Sequence, residues 1–524
     1  MKKLDLAQKL FLGLLLIHLA VNLIWIVLDK QMPAWDQAGH TRLALEFVDK
    51  WKSPDAEATQ FWQISSYYPP FIHWQVAALM RFFGRNVDLG AVVITIYLIL
   101  LLIGVYKLSN KMWKNRWVGV IAAMLTGFLP VIYTNSRWFL LDIPLLALVT
   151  WSWYFLWQSQ FLTKRKETIF FALTVAAVLL TKWTGIVFLL VPTLFVLGKS
   201  GQKKSLKRTW LNLLLATVIV LALIAPWYLA NYQTLLAQAQ VATVGEIDDP
   251  QVLWSVENWR FYLWEFLGFQ VGLIPGGIIL GLMIVYFCQR ENRYKKLMAF
   301  YLITGYIIFS LLSNKDIRYD LPLLIPVMMM AAAVIARGGK AVKALGAAAL
   351  IWLIAFYFIL SFHLLPTYQY AFNFGPLGWI DVINTGDTVV AYPQEDASAN
   401  RLILEDLVNL TKGQKAKVLV GIDQAQMSAS TLHYLSVKEK INDFTFISVP
   451  ADLDFNDPQI LTSYLDNFMF FIISPEQTGV SASRALTNLQ IVQKYLLQNE
   501  KLATVVRYAS GNGEIILMAR KVNP

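Results

Sequence analysis

Asp36 is the first residue of the chain whose type and position suit acid–base chemistry. It ends the run Pro33-Ala34-Trp35-Asp36, just after the first apolar segment, and His40 and Arg42 follow it on a predicted helix. A carboxylate there can act as a general base that takes the proton of an attacking hydroxyl. A lone aspartate before a helix over Gln37–Asp49 can equally serve as its N-cap.

Asp142 is a second acidic candidate, because it falls inside the start of an apolar segment. Burying an unpaired carboxylate in that setting costs a free energy on the order of several kcal/mol, so Asp142 needs a partner. Arg137, five positions earlier in Asn135-Ser136-Arg137-Trp138, can form a structural ion pair with it. Alternatively, the two residues lie near a substrate.

Basic residues recur where other apolar segments end. Lys182 stands in Leu180-Thr181-Lys182-Trp183, and Lys315, Arg318 and Tyr319 belong to one run before Pro322. Cations in such places suit a phosphate or pyrophosphate at the level of lipid headgroups, with arginine favoured for bidentate contact. Each residue taken singly can also be an interfacial anchor.

The segments that must position these residues are long and apolar. Hydrophobic residues make up 57% of the 524 positions and charged residues only 15%. Blocks near the roughly 20 residues that cross a bilayer predict a polytopic α-helical membrane protein. The eleven predicted crossings are 10–28, 89–106, 117–134, 139–157, 168–181, 184–198, 210–228, 271–288, 297–312, 321–336 and 344–362. The pair 168–181 and 184–198 can also be one crossing, since Lys182 interrupts the run.

The distribution of basic residues predicts the orientation. If the N-terminus is cytoplasmic, the short inside segments hold 22 lysines and arginines, and the outside segments before residue 366 hold 11. This is the bias of the positive-inside rule. An odd number of crossings then places the C-terminus on the extracytoplasmic side. Because the basic residues are concentrated in the inside segments, the formal charge of +11 reflects topology and indicates no nucleic-acid partner.

Residues 366–524 have the pattern of a small soluble α/β domain. Strand-like runs at 417–422, 444–449 and 468–473 alternate with helix-like runs at 428–440, 458–466 and 481–498, and Ser510-Gly511-Asn512-Gly513 predicts a final hairpin. The domain division is therefore 1–365, with long outer loops at 29–88 and 229–270, and 366–524. Both outer loops are rich in Trp and Tyr, which suits helices at a membrane surface.

Several of these motifs, in this order, resemble the GT-C glycosyltransferases. They are Trp35-Asp36, Tyr67-Tyr68-Pro69-Pro70, Ser136-Arg137 with Leu141-Asp142-Ile143-Pro144, Pro226-Trp227-Tyr228, and Lys315 with Arg318-Tyr319 and Leu321-Pro322. The resemblance covers about residues 1–365. It is nearest to the protein O-mannosyltransferase-like branch that includes the lipid A aminoarabinose transferase.

That resemblance implies an inverting transfer of a sugar from a polyprenyl phosphate to a hydroxyl acceptor. Asp36 would be the base and Asp142 a second acidic residue that positions donor or acceptor. The residues implied to hold the lipid phosphate or donor are Lys182, Arg137, Lys315, Arg318 and Tyr319, and those implied to position the acceptor or the first loop are His40, Tyr67 and Tyr68. Many relatives have Asp-Glu at the first motif, whereas Gln37 follows Asp36 here, which weakens a role for a second adjacent carboxylate.

No cofactor is required on this reading. Asp36 and His40, at i and i+4, could supply two ligands to a divalent metal, but two are too few to predict a site. The predicted partners are a polyprenyl-phosphate-linked sugar, a hydroxyl acceptor on protein, lipid or glycan, and membrane lipids, in a bacterial plasma membrane.

Two alternatives from other classes remain open. A secondary transporter would place its charged residues near the bilayer midplane, on broken helices of repeated halves. A non-catalytic scaffold that presents the C-terminal domain to a partner would tolerate loss of both Asp36 and Asp142.

Overall fold

The computed structural model describes residues 4–53, 58–200, 206–244, 249–250, 252–289, 294–375, 378–385, 392–475, 483–510 and 513–521. A bundle of apolar helices is followed by a hairpin and a unit that contains a mixed sheet. The predicted fold class, helical and polytopic with a C-terminal α/β region, is confirmed.

The helices of the bundle and of its loops are α1 (Leu6–Leu28), α2 (Trp35–Lys52), α3 (Ala58–Gln63), α4 (Phe71–Phe83), α5 (Asp88–Trp113), α6 (Arg116–Gly127), α7 (Pro130–Asn135), α8 (Asp142–Gln158), α9 (Arg165–Leu179), α10 (Ile186–Ser200), α11 (Leu206–Val244), α12 (Val256–Glu265), α13 (Leu273–Cys288), α14 (Lys295–Ser310), α15 (Leu324–Arg337) and α16 (Lys340–Phe362). Short 3₁₀ turns cover Trp183–Gly185 and Leu321–Leu323, and a π-helical turn covers Phe266–Gln270.

Four of these helices, α1, α5, α11 and α16, are long and apolar enough by themselves to cross a membrane. Each of the eleven predicted ranges overlaps a helix, and 168–181 and 184–198 correspond to separate helices on either side of a turn at Lys182. The number of crossings stays a prediction, because several of the remaining apolar helices are shorter than a bilayer is thick.

Helix α5 is mostly buried and packs against α1, α6 and α8. Close packing requires small residues at the contacts: a Cβ on Gly90 would lie 2.7 Å from a ring carbon of Phe139. Phe139 belongs to the segment between α7 and α8, so this contact fixes the chain just before Asp142.

The C-terminal region begins with an antiparallel hairpin. Two short strands, β1 (Asp249–Pro250) and β2 (Asn314–Lys315), come earlier in the chain and pair with each other within the bundle. The C-terminal hairpin consists of β3 (Gln369–Asn373) and β4 (Trp379–Asn384) and follows α16. The remaining elements are α17 (Asn400–Thr411), β5 (Ala416–Gly421), α18 (Ala429–Lys438), β6 (Phe444–Ser448), α19 (Pro458–Leu465), β7 (Phe470–Ile473), α20 (Ser483–Gln498), β8 (Leu502–Ser510) and β9 (Gly513–Arg520).

The sheet has the strand order β6-β5-β7-β9-β8. Strand β5 pairs in parallel with β6 and β7. Strand β9 pairs antiparallel with both β7 and β8, and β8 and β9 form the final hairpin predicted from the sequence. The turn residues Gly511 and Asn512, and residues 481–482 of the predicted helix 481–498, lie outside the described residues. The division into domains at residue 365 stays a prediction.

Arg137 joins three helices within the bundle. It is 1% exposed, its Nε donates to Asn22 Oδ1 of α1 at 3.2 Å, and its Nη2 donates to Ser361 Oγ of α16 at 2.6 Å. The guanidinium carbon lies 5.5, 5.2 and 5.6 Å from the ring centres of Trp25, Tyr133 and Tyr357. Aromatic faces stabilise a desolvated cation, so these rings compensate for burial of the charge.

Replacing Arg137 with Ala should destabilise the protein. The change removes the two hydrogen bonds and leaves a cavity between α1, α7 and α16, and we expect the free energy of unfolding to fall by roughly 2–4 kcal/mol. Thermal melting in detergent measures the effect. The matched control is Arg116→Ala, since the Arg116–Asp5 pair is exposed, is screened by solvent and contributes little to stability. Equal melting temperatures for the two variants would contradict this role.

Asp320 connects the end of the π-helical turn to the loop before α15. Its Oδ1 accepts a hydrogen bond from Gln270 Nε2 at 2.7 Å, and the same nitrogen donates to the Ile317 carbonyl at 2.8 Å. Burial raises the pKa of the Asp320 carboxyl from 3.8 to about 7. Because the folded protein then binds this proton more tightly than the unfolded chain, the carboxyl lowers stability as pH rises from about 4 to 7.

The variant Asp320→Asn should therefore melt at a higher temperature than the native protein at pH 8. An amide cannot ionise, so the difference should be smaller at pH 5 and largest above pH 7. Melting curves at the two pH values test this. Asp466→Asn, at the exposed Asp466–Arg520 pair, is the control, and a gain from Asp320→Asn that does not change with pH would contradict the prediction.

Candidate active site

Four charged side chains from distant parts of the chain meet at one end of the helix bundle. Asp36 lies in the first turn of α2, Asp142 in the first turn of α8, Lys182 after the end of α9, and Arg318 in the loop before α15. The sequence predicts that these residues belong to one site, and the structure brings them together.

Asp142 and Lys182 form the most buried pair of the cluster. Lys182 Nζ lies 2.8 Å from Asp142 Oδ1, and the two side chains are 17% and 4% exposed. The start of α8 favours a carboxylate, since the positive end of the helix dipole and unpaired N–H groups lie there. Lys182 Nζ also lies 5.4 Å from the centre of the Tyr319 ring.

Arg318 contacts three carboxylates. Its Nη2 is 3.0 Å from Asp36 Oδ2, its Nη1 is 3.8 Å from Asp142 Oδ2, and its Nε is 3.0 Å from both oxygens of Asp316. The planar guanidinium presents donors in several directions, so one residue can hold three acids at fixed separations. Arg318 is therefore the centre of the cluster.

The charges of the cluster stabilise each other. Burial alone would raise the pKa of the Asp316 carboxyl, but the positive charges of Arg318 and Lys182 outweigh burial and lower it. Burial would likewise lower the pKa of Arg318, but the carboxylates of Asp316, Asp36 and Asp142 raise it. Both groups are therefore charged at neutral pH.

Neither of the simpler interpretations of the two aspartates holds. Helix α2 begins at Trp35, its N-cap position is Ala34, and the side chain of Gln37 accepts the Ala34 N–H at 3.2 Å, so Asp36 is not the cap. Asp142 pairs with Lys182 and not with Arg137. Both carboxylates are thereby available to the cluster.

Two histidines and two tyrosines form the side of the site next to α2. His40 Nδ1 lies 3.0 Å from His73 Nε2, and the His40 ring packs edge-on against Tyr68, which packs against Tyr67. Burial, together with the nearby charges of Lys182 and Arg318, lowers the pKa of His40 to about 3. His40 is therefore neutral, and the structure places it as a packing partner of Tyr68.

Two predicted phosphate ligands lie elsewhere. Arg137 is enclosed between α1, α7 and α16, as described above. Lys315 donates to the carbonyl oxygens of Phe309 and Ser310, both at 2.9 Å, and so satisfies the end of α14. Neither cation needs a phosphate at this place, because a buried positive charge is stabilised by any set of oxygens or aromatic rings that surrounds it.

A cavity of about 240 Å³ opens beside the cluster. Its lining includes the charged residues Asp36, Asp316 and Arg318 and the aromatic residues Trp35, Trp138 and Phe269. A second cavity of about 250 Å³, which Phe269 also lines, lies between α16, the π-helical turn and β4. Charged and aromatic groups around one cavity suit a polar ring with an apolar attachment.

Asp316, Trp138 and Phe269 are not among the site residues predicted from the sequence. Asp316 lies inside the run Lys315–Tyr319, so its position was a usable signal. Phe269 and Trp138 gave none, because apolar residues next to helix ends are common in any membrane protein.

One family model matches part of the chain. Residues 68–229 match the family model described as dolichyl-phosphate-mannose-protein mannosyltransferase. No curated protein sequence matches the chain.

Solved structures match over nearly the whole chain. ArnT from Cupriavidus metallidurans bound to undecaprenyl phosphate aligns with a TM-score of 0.58 and 14% identity, over 96% of this chain and 98% of that one. Arabinofuranosyltransferase AftD from Mycobacteria aligns with a TM-score of 0.57 and 13% identity, over 97% of this chain, which spans 40% of AftD. This chain is thus a multi-pass helical membrane protein with the GT-C glycosyltransferase fold of the protein O-mannosyltransferase and ArnT type.

Proposed function

We propose that this protein is an inverting glycosyltransferase that moves a sugar from a polyprenyl-phosphate donor to a hydroxyl acceptor at the extracytoplasmic face of the membrane. The observation that carries the proposal is the meeting of Asp36, Lys182 and Arg318 beside one cavity. The site thus combines a base with cations for a phosphate leaving group.

The two aspartates differ in exposure, and this decides their roles. The Asp36 side chain is 40% exposed, whereas that of Asp142 is 4% exposed. An acceptor can therefore reach Asp36, which would take the proton of its hydroxyl. Asp142 would hold Lys182 in place for the donor.

The cations supply the electrostatic part of the reaction. As the acceptor oxygen bonds to the anomeric carbon, the bond from that carbon to the phosphate oxygen breaks, and negative charge grows on the lipid phosphate. Arg318 and Lys182 would stabilise this charge, and Tyr319, next to Lys182, would contact the phosphate. Trp35, Trp138 and Phe269 would hold the sugar and its lipid attachment against the apolar wall of the cavity.

The donor class rests on the fold and on the named ligand of one similar structure. ArnT was solved with undecaprenyl phosphate, and its fold covers almost all of this chain. The phosphate of such a lipid matches the cation pair, and its chain matches the apolar surroundings. The sugar and the acceptor are left as classes, namely a glycosyl group and a hydroxyl on protein, lipid or glycan.

A contact and a charge bias support the proposed orientation. The indole N–H of Trp35 donates to Asp423 Oδ1, which favours a position of the start of α2 and the C-terminal sheet unit on the same side of the membrane. The basic residues favour a cytoplasmic N-terminus before α1. Both the site and the C-terminal unit would then be extracytoplasmic, in the bacterial plasma membrane.

Asp36→Asn tests the proposal. In detergent, with a radiolabelled polyprenyl-phosphate sugar, the variant should transfer at a rate roughly a hundredfold or more below that of the native chain, because an amide cannot accept the proton. Glu46→Gln is the matched control, since Glu46 lies on the same helix and pairs with Arg42 at 2.6 Å. Undiminished transfer by Asp36→Asn would exclude Asp36 as the base, whereas no transfer by the native chain would favour a transporter or a scaffold.

We also propose that the reaction needs no divalent metal. Asp36, Asp142 and Asp316 already face Arg318 or Lys182, so the positive charge that a metal would bring is supplied by side chains. The transfer rate should therefore be unchanged in excess EDTA. A loss of activity that Mg²⁺ or Mn²⁺ restores would contradict this and would point to Asp36 and His40 as ligands.

A further inference from the structure

The segment between α1 and α2, which leads to Asp36, is attached to the C-terminal sheet unit. The Lys30 N–H donates to the Gln394 carbonyl at 2.8 Å, and the Gln394 N–H donates to Asp29 Oδ1 at 3.0 Å. Further along, Thr431 Oγ1 donates to the Pro33 carbonyl at 3.2 Å. These hydrogen bonds fix the segment that leads to Asp36.

Trp35 is the last residue before Asp36, and it makes two contacts with the C-terminal unit. Its backbone N–H donates to the Ala425 carbonyl at 3.2 Å, and its indole N–H donates to Asp423 Oδ1 at 2.8 Å. Its φ angle is +26°, a region that a bulky L residue rarely adopts. Such a backbone persists only when its surroundings hold it, and here the surroundings are residues 423–425.

The loop that holds Trp35 is itself braced inside the C-terminal unit. Asn400 Nδ2 donates to the Gln426 carbonyl at 2.6 Å, and Gln493 Nε2 donates to the Gly421 carbonyl at 3.0 Å. Both side chains are buried. The loop can therefore transmit the position of the sheet to Trp35.

A broad apolar contact supports these hydrogen bonds. Helix α18 packs along α2, and buried residues of both helices belong to one continuous hydrophobic cluster. At the far end of α2, Arg85 connects Asp49 of that helix, at 2.5 Å, with the Val437 carbonyl at 2.6 Å. The unit is thus docked along the whole helix that carries Asp36.

We propose that the C-terminal unit is a working part of the active site, in which Asp423 and the Ala425 carbonyl act through Trp35 to position Asp36. This rests on the proposed function, because it assumes that Asp36 accepts the acceptor's proton. Trp35 also lines the cavity, so the same contact sets the aromatic wall against which the substrate would lie. Asp423 is a positioning residue and does not itself reach the reacting atoms.

The test compares Asp423→Ala with Asp423→Asn in the full-length protein. The alanine variant should lower kcat by about tenfold to a hundredfold, since a displacement of about 1 Å at a reacting group costs that much. The asparagine variant keeps an oxygen that accepts the indole N–H and should retain most of the activity. The melting temperature should stay near its native value in both variants, because Arg318, Lys182 and the core are untouched.

A double-mutant cycle separates this from a general loss of structure. Trp35→Phe removes the same hydrogen bond from the other side, so combining it with Asp423→Ala should cost little more than Trp35→Phe alone. Asp466→Ala, which breaks the Asp466–Arg520 contact within the same unit, is the control and should leave kcat unchanged. Additive losses from Trp35→Phe and Asp423→Ala would overturn the proposal.

The two proposals fail differently. If Asp36→Asn is inactive but Asp423→Ala transfers at the native rate, the positioning role is wrong and the proposed function stands. If Asp36→Asn transfers at the native rate, Asp36 is not the base and the positioning role fails with that assignment, and if the native chain transfers no sugar, the proposed function itself fails. If Asp423→Ala loses activity only in proportion to a lower melting temperature, the contact is structural and the positioning role is wrong.

Discussion

The site depends on one guanidinium group. Arg318 contacts Asp36, Asp142 and Asp316, which come from three separate parts of the chain, and Lys182 completes the cluster through Asp142. Carboxylates and cations so close to a membrane are stable only in mutual contact, because each one alone would lose its hydration without compensation. The elements that end at this point, α2, α8, α9 and the loop before α15, are therefore constrained to meet.

This electrostatic constraint and the apolar packing support each other. Arg318 keeps its three acids at fixed distances, and the aromatic rings of Trp35, Trp138 and Phe269 line the same cavity as Arg318. The neutral His40 and His73 pack against Tyr68. The pocket therefore combines charged and aromatic groups, which suits the lipid-linked, polar reactant of the proposed function. Arg137 differs from Arg318, because it contacts aromatic rings and amide or hydroxyl groups instead of carboxylates and stabilises the bundle itself.

The C-terminal unit connects these parts. Because it contacts the segment 29–35 and packs along α2, the position of Asp36 depends on residues almost four hundred positions later in the chain. Such a dependence gives a physical reason for this unit to be docked on the helix bundle. Under the proposed function its effect is on the geometry of Asp36, which differs from binding an acceptor or recruiting a partner.

The sequence by itself determined the membrane class, the order of the apolar helices and the strands of the C-terminal sheet, because these follow from local patterns of hydrophobicity and turn residues. It also indicated Asp36, Asp142, Lys182 and Arg318, since ionisable groups next to apolar segments are costly and therefore conspicuous. Only the tertiary structure decided which of them are partners: Asp142 pairs with Lys182, while Arg137 and Lys315 turn to other groups. Asp316, Phe269 and the Trp35–Asp423 contact also emerged only there, because the energy of a contact between distant segments depends on distance and burial in three dimensions, which no local pattern contains.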